Sequence, residues 1–334
     1  MFQFRQLVVV VDEIETLLNK WFVNSTLEEN KLDCWNIFIN LLKTADKVIF
    51  LDAFTSKITL NFIKALNENH EYKIVERINE CNTRDVEYIK NFSHWLKLIV
   101  DTMKQGKKPF IFYPLKKANH NLPSMQELHH IIQEETGKMN GVFYNADVGC
   151  DKLKDLEDVN ESWSKYDFVI TNTKITVGIN YELEDFDSVY LAIAGFSSAR
   201  DIIQVSYRCR KLISNQIKVC YIDNFSTYKG ARNDEHLVAN CPIYQSMKKD
   251  LLIEREAPLK QSVLHFCNLA HYNVTATVKA LEGNLEAYYK KIFADTILGY
   301  NYETIPDITS AQCQELQFKI YDRSATLEDK IGLL

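Results

Sequence analysis

The sequence predicts an α/β protein built on parallel sheets flanked by helices. Short β-branched runs alternate with longer stretches of helical periodicity, the pattern of strands joined by covering helices. Most of those runs are apolar at every position, as expected of strands buried on both faces. The alternation stops after Asp223, where Pro242 and Pro258 punctuate amphipathic stretches and no further strand is expected.

In chain order, a strand over Leu7–Val11 leads to a helix over Asp33–Lys43 and a strand over Lys47–Leu51. A helix over Thr55–Asn67 and a strand over Lys73–Val75 follow. A polar run, Asn79-Glu80-Cys81-Asn82-Thr83-Arg84, then marks a boundary. Residues 1–83 thus hold about three strands, too few for a closed α/β layer, and are expected to be the C-terminal remnant of a first domain. Residues 84–225 are expected to form a complete second domain. It would hold a helix over Val86–Gln105, strands over Pro109–Tyr113, Gly141–Tyr144, Phe168–Thr171, Ser188–Ile193 and Ile217–Ile222, and helices over Met125–Thr136 and Ala199–Leu212. Residues 226–334 are expected to be a helical accessory region.

Composition excludes several classes. With 46% hydrophobic residues, 10 Gly and 6 Pro, the chain is neither a long disordered tail nor a collagen-like repeat. A net charge of -6 argues against a histone-like mass of positive charge, but a local basic groove would suffice for nucleic acid. The cysteines (Cys34, Cys81, Cys150, Cys209, Cys220, Cys241, Cys267, Cys313) show no CxxC pair and no zinc spacing. They read as buried small hydrophobes in a reducing compartment. The apolar run Leu7–Val11 ends at Asp12 and Glu13, too short for a signal sequence or membrane span. An intracellular, soluble protein with no membrane partner is expected.

Four motifs carry chemistry. Val8-Val9-Val10-Val11-Asp12-Glu13-Ile14-Glu15 is an apolar strand ending in carboxylates. In such a Walker B pattern the first carboxylate holds the water shell of Mg²⁺ and the second activates the attacking water. In Val48-Ile49-Phe50-Leu51-Asp52-Ala53-Phe54-Thr55-Ser56 a strand ends in small and hydroxyl residues that open a helix, where Thr55 or Ser56 serves equally well as an N-cap. Phe168-Val169-Ile170-Thr171-Asn172-Thr173, followed by Thr176-Val177-Gly178-Ile179-Asn180, can line a cleft that grips a phosphate, or be an ordinary loop. In Ala199–Lys211, Gln204 and Arg208 lie four apart on one helical face with Arg210 beyond. Fixed guanidinium forks there suit γ-phosphate charge; the plainer reading is a solvated basic helix.

In this order and spacing the segments resemble motifs II, III, V and VI of the superfamily 2 helicases, with Pro109–Leu115 in the place of motif IV. Within that superfamily the chain is most similar to the herpesvirus-type replication origin-binding protein helicases. Gln204, Arg208 and Arg210 follow Gln-x-x-x-Arg-x-Arg rather than Gln-x-x-Gly-Arg-x-x-Arg, and Leu51-Asp52-Ala53 suits that group better than Ser-Ala-Thr. The resemblance covers roughly residues 5–223. It implies RecA-like lobes, the first partial and the second complete, with ATP and Mg²⁺ as cofactors and DNA, as single strand or origin duplex, as partner. It implies work in the nucleus or at a site of replication. By the same resemblance Asp12 is the Mg²⁺-side carboxylate and Glu13 the catalytic base. Arg208 and Arg210 are catalytic arginines, Gln204, Gly178 and Asn180 bind nucleotide, Asp52, Ala53 and Thr55 form the coupling motif, and Thr173 and Thr176 contact DNA.

One part of the pattern is missing. No G-x-x-x-x-G-K-[S/T] phosphate loop occurs; Gly106-Lys107 and Gly137-Lys138 lack the preceding glycine and read as helix caps. Only eleven residues precede Asp12, so the loop is expected to lie in an upstream N-terminal helicase half, without which residues 1–80 fold poorly and the chain does not turn over ATP. The alternative is a catalytically inactive DNA-binding or scaffolding module derived from a helicase. Tyr288-Tyr289-Lys290-Lys291 reads as an amphipathic helix face, with a nucleic-acid contact as the sharper alternative.

Overall fold

The computed structural model describes residues 6–21, 30–66, 72–75, 83–118, 122–145, 154–172, 179–195, 197–222, 241–247, 251 and 259–275. The chain divides into two compact units, residues 1–80 with 225–262, and residues 81–224 with 263–334. No helix among the described residues is long and apolar enough to cross a membrane.

The first unit contains β1 (Val8–Val11), α1 (Ile14–Trp21), α2 (Lys31–Thr44), β2 (Lys47–Phe50) and α3 (Lys57–Leu66). β1 and β2 pair in parallel, Val8 opposite Lys47 through Val11 opposite Phe50. In α2 the buried residues are Lys31, Trp35, Ile39 and Leu42, a stripe at helical spacing that faces the core. Trp35 packs on Phe62 of α3 with ring centroids 5.9 Å apart. Ile243, Tyr244, Met247 and Leu251 complete this core, and the Trp35 indole N–H donates to Cys241 Sγ at 3.3 Å.

Two expectations fail here. β1 is not buried on both faces, since Val8 and Val10 are 47% and 56% exposed. Residues 73–75 form no strand, and Ile74 and Val75 are exposed. A β-branched run makes a strand only where a neighbour takes up its backbone groups and a layer covers its side chains.

The second unit contains β3 (Asp85–Ile89), α4 (Phe92–Lys104), β4 (Lys108–Phe112), α5 (Met125–Thr136), β5 (Gly141–Tyr144), α6 (Val159–Ser164), β6 (Phe168–Thr171), β7 (Phe186–Ile193), α7 (Ala199–Ser206), β8 (Gln216–Tyr221), the part of α8 (Leu259–Leu269) from Val263 on, and β9 (Asn273–Thr275). Seven strands form one sheet in the order β5-β6-β4-β7-β8-β3-β9, every neighbouring pair parallel. β7 lies at its centre with all its residues buried, as a strand covered on both faces must be. α5 carries a capping box, Ser124 with Glu127, and ends on Gly137 in the left-handed conformation at φ 66, the cap the sequence pattern predicts. Gly106, at φ 77, closes α4 in the same way.

The expected helix Val86–Gln105 is two elements. Val86 and Ile89 bury against the sheet while Asp85 stays exposed, and the helix starts only at Phe92, where Asn91 Oδ1 accepts the His94 N–H at 2.9 Å. The region after residue 225 does contain a strand: Val86 of β3 pairs with Val274 of β9. β9 is three residues long, too short to leave a periodic trace. The run Tyr288–Lys291 lies outside the described residues.

Candidate functional site

At the end of β1 the chain turns through Asp12 and Glu13 into α1. Glu13 has φ 54, a left-handed conformation that costs a side-chain-bearing residue about 1–2 kcal/mol. The turn is held on every side. Asp12 Oδ1 accepts the Glu13 N–H at 3.0 Å, Leu51 N–H donates to Val11 O at 2.9 Å, and Ile14 N–H donates to Leu51 O at 3.2 Å. Asp12 itself is exposed. Strain of this kind persists where the surroundings over-determine it, and it collects at functional turns.

The sequence quoted Glu15 without giving it a role; the structure does. Its side chain is fully buried. Oε1 accepts the Ser56 N–H at 2.6 Å and the Thr59 N–H at 3.2 Å, and Oε2 accepts the Ser56 hydroxyl at 3.0 Å. From the other side Asp52 Oδ2 accepts the Glu15 N–H at 2.9 Å while Oδ1 accepts the Phe54 N–H at 2.7 Å. Two carboxylates therefore lock the Asp12–Glu13 turn to the strand-end segment Asp52–Ser56. Ser56 also caps α3, its Oγ accepting the Ile58 N–H at 3.1 Å. The capping reading therefore holds for Ser56, which also bonds Glu15. Ala53 and Thr55 are exposed and stand outside this network. The available signal was Glu15 itself, one residue past Ile14 and three before Leu18 on the buried side of α1.

In the second unit the helix carrying Gln204 is shorter than the sequence implies. α7 is capped by Ser198, whose side chain accepts the Asp201 N–H, and ends at Ser206. Tyr207 N–H donates to Gln204 O and Arg208 N–H to Val205 O, a tightened last turn. Gln204 is buried within the helix, but Arg208 and Arg210 lie on the chain beyond it, not on a shared helical face. The cause is Arg84. Its buried guanidinium donates from Nη1 to Ser206 O and from Nη2 to Cys209 O, with Arg210 O at 3.3 Å. It also lies over the Tyr207 ring at 5.3 Å. The fork thus takes carbonyls at and just beyond the helix end.

The released segment pairs with residues 179–181. Tyr181 N–H donates to Arg208 O at 2.7 Å and Arg210 N–H to Tyr181 O at 2.8 Å. Arg208 Nη1 donates to Ile179 O at 3.1 Å, and Arg210 Nη2 donates to Asn180 Oδ1 at 2.8 Å. The fold thus joins Asn180, Arg208 and Arg210. Arg208 is buried and Arg210 exposed. Behind them Tyr272 hydroxyl pairs with Ser206 Oγ at 2.9 Å, and burial raises the Tyr272 phenol well above its ordinary range. Burial likewise pushes the Cys209 thiol upward, so it stays protonated and serves as packing. Thr173, Thr176 and Gly178 lie outside the described residues; the strand before them ends at Thr171, whose N-terminal neighbours pair with β4 and β5.

Residues 151–238 match the family model described as origin of replication binding protein. The chain is 21% identical over 290 residues to the replication origin-binding protein of Human herpesvirus 6B (strain Z29), covering 82% of this chain and 34% of that protein. It is 27% identical over 226 residues to a protein of Acanthamoeba polyphaga mimivirus described as a replication origin-binding protein, covering 64% of this chain and 26% of the relative. The chain thus spans between about a fifth and a third of the length of the curated relatives it matches. Among solved structures, Mss116p bound to ssRNA and AMP-PNP superposes with a TM-score of 0.50 at 12% identity, covering 98% of this chain and 59% of that one. That likeness establishes a RecA-like helicase fold. The resemblance read from the motifs is borne out: the chain is similar to superfamily 2 helicases and, within them, to herpesvirus-type origin-binding proteins, whose names place them in DNA replication.

Proposed function

We propose that the chain is a portion of an ATP-dependent DNA helicase of the replication origin-binding type. The observation that carries this reading is the buried Glu15, which ties the carboxylate turn to Asp52 and Ser56. A carboxylate buried only for stability would be replaceable by apolar packing. One that links a nucleotide-facing turn to a second strand end transmits a change at the first to the second.

Glu13, held at the strained turn, orients and deprotonates the attacking water. Asp12, exposed and offering hard carboxylate oxygens, would hold the water shell of Mg²⁺, which supplies charge neutralisation on the phosphates when bound. Arg210 and Arg208 answer the charge that develops on the γ-phosphate, with Gln204 supporting them and Asn180 orienting Arg210. Asp52 and Ser56 carry the coupling, and Thr173 and Thr176 contact the DNA strand. Since no G-x-x-x-x-G-K-[S/T] occurs in the 334 residues, turnover on this reading needs a phosphate loop supplied to the chain.

DNA-stimulated ATP hydrolysis tests this, measured for the chain alone and for the chain joined to the sequence its genome encodes upstream. Turnover is expected in the joined form, and Glu13→Gln is expected to reduce it at least about 100-fold, the scale of a lost general base. No turnover in either form would replace the helicase with the inactive DNA-binding module. Turnover that survives Glu13→Gln would remove the assignment of the base.

A further inference from the structure

The arginines assigned to the nucleotide sit on a segment whose course is set by a residue far away in sequence. Arg84 precedes β3 and is buried. Among the described residues its guanidinium partners are carbonyl oxygens of Ser206, Cys209 and Arg210, and the face of Tyr207. Its own backbone is fixed from two sides: Asn273 N–H donates to Arg84 O at 2.8 Å, and the adjacent Asp85 N–H donates to Asn215 O at 3.0 Å. A planar fork anchored at both flanks sets distance and direction together, which a lysine ammonium does not.

We propose that Arg84 is a positioning residue for Arg208 and Arg210. It takes the last carbonyls of α7, stops the helix at Ser206 and turns the chain so that residues 208–210 pair with residues 179–181. Without the fork, the tightened last turn is free to continue as helix. Helical geometry rotates each residue by about 100°, so both guanidinium groups would leave their present directions. The burial of an arginine is costly unless its donors are filled. Three carbonyls engage its Nη groups and a ring face covers it, at the negative end of a helix. Tyr272, through Ser206 Oγ, and Tyr207, whose hydroxyl donates to Ala270 O at 3.3 Å, extend the same support to the 270–272 segment.

The inference rests on the proposed role of Arg208, and two measurements separate them. In the full chain, amide hydrogen exchange is followed for Arg84→Lys and Arg84→Met. Protection at the Tyr181 and Arg210 amides is expected to fall at least about tenfold, the scale of one lost hydrogen bond to a charged donor, while Val219 and Cys220 in β8 stay protected. Unchanged protection at Tyr181 and Arg210 overturns the proposal. So does a loss that spreads equally to β8 in both variants, because that describes a residue of general stability. In the joined form, Arg84→Lys is expected to lower kcat with little change in KM for ATP and to follow Arg208→Ala. If Arg208→Ala lowers turnover and Arg84→Lys does not, positioning fails while the helicase reading stands. If Arg208→Ala is without effect, the arginine assignment fails, and exchange alone decides whether Arg84 holds the segment.

Discussion

The two units bury their sheets to different degrees although both are parallel. In the second, β7 is covered along its whole length and six other strands flank it. In the first, β1 and β2 pair only with each other among the described residues, and alternate valines of β1 face outward. The second unit draws its order from area: Phe110, Phe168 and Trp163 are fully buried. The first draws much of its order at the candidate site from directed polar contacts through Glu15 and Asp52. Apolar burial tolerates small shifts of neighbours, whereas a network of short hydrogen bonds is satisfied in one arrangement or not at all. On the proposed reading, that difference suits a unit whose turn registers a bound nucleotide.

Three substitutions break or sharpen the contrast. Phe110→Ala should be the most damaging. The ring sits 5.5 Å from Trp163 and 5.7 Å from Phe186, and its loss should cost about 3–5 kcal/mol. The reading is lost exchange protection across β4, β6 and β7 with the first unit's amides unchanged. A cost below about 1 kcal/mol would mean that the sheet centre does not carry the second unit. Glu15→Gln should cost about 1–3 kcal/mol, the range for weakening charge-assisted bonds to buried donors. It should raise exchange at Ser56 and Thr59 before any core amide. Equal exchange in variant and parent would show that the network is not what orders the first unit. Val10→Thr, on the exposed face of β1, should stay within about 0.5 kcal/mol in a urea titration. A larger loss would mean that this face is covered.

Two strands of the second unit were the most legible part of the chain. Gly141–Tyr144 and Phe168–Thr171 have the predicted ends because they are short apolar runs bounded by polar residues. The second is buried at every position, while the first, at the sheet edge, is fully buried only at alternate residues. β3 was hidden because Asp-Val-Glu-Tyr-Ile runs into a helix without a Gly or Pro between. The helix Ala199–Leu212 was over-extended because Tyr207–Leu212 keeps acceptable helical residues. Of the candidate site, Asp12, Glu13, Arg208 and Arg210 could be named in advance, since each stands in a motif whose spacing is local.

The sequence by itself determined the alternation of strands and helices, the carboxylate-ended first strand and the arginine-bearing segment near the end of the second unit. Only the tertiary structure decided that Glu15 binds Ser56 across 41 positions and that Arg84 reaches Ser206 across 122. The physical reason is the range of the two kinds of signal. Hydrophobic periodicity records which side of an element faces a core, and it repeats within a few residues. A hydrogen bond between distant residues leaves no period, only one polar side chain whose partner the folded chain supplies.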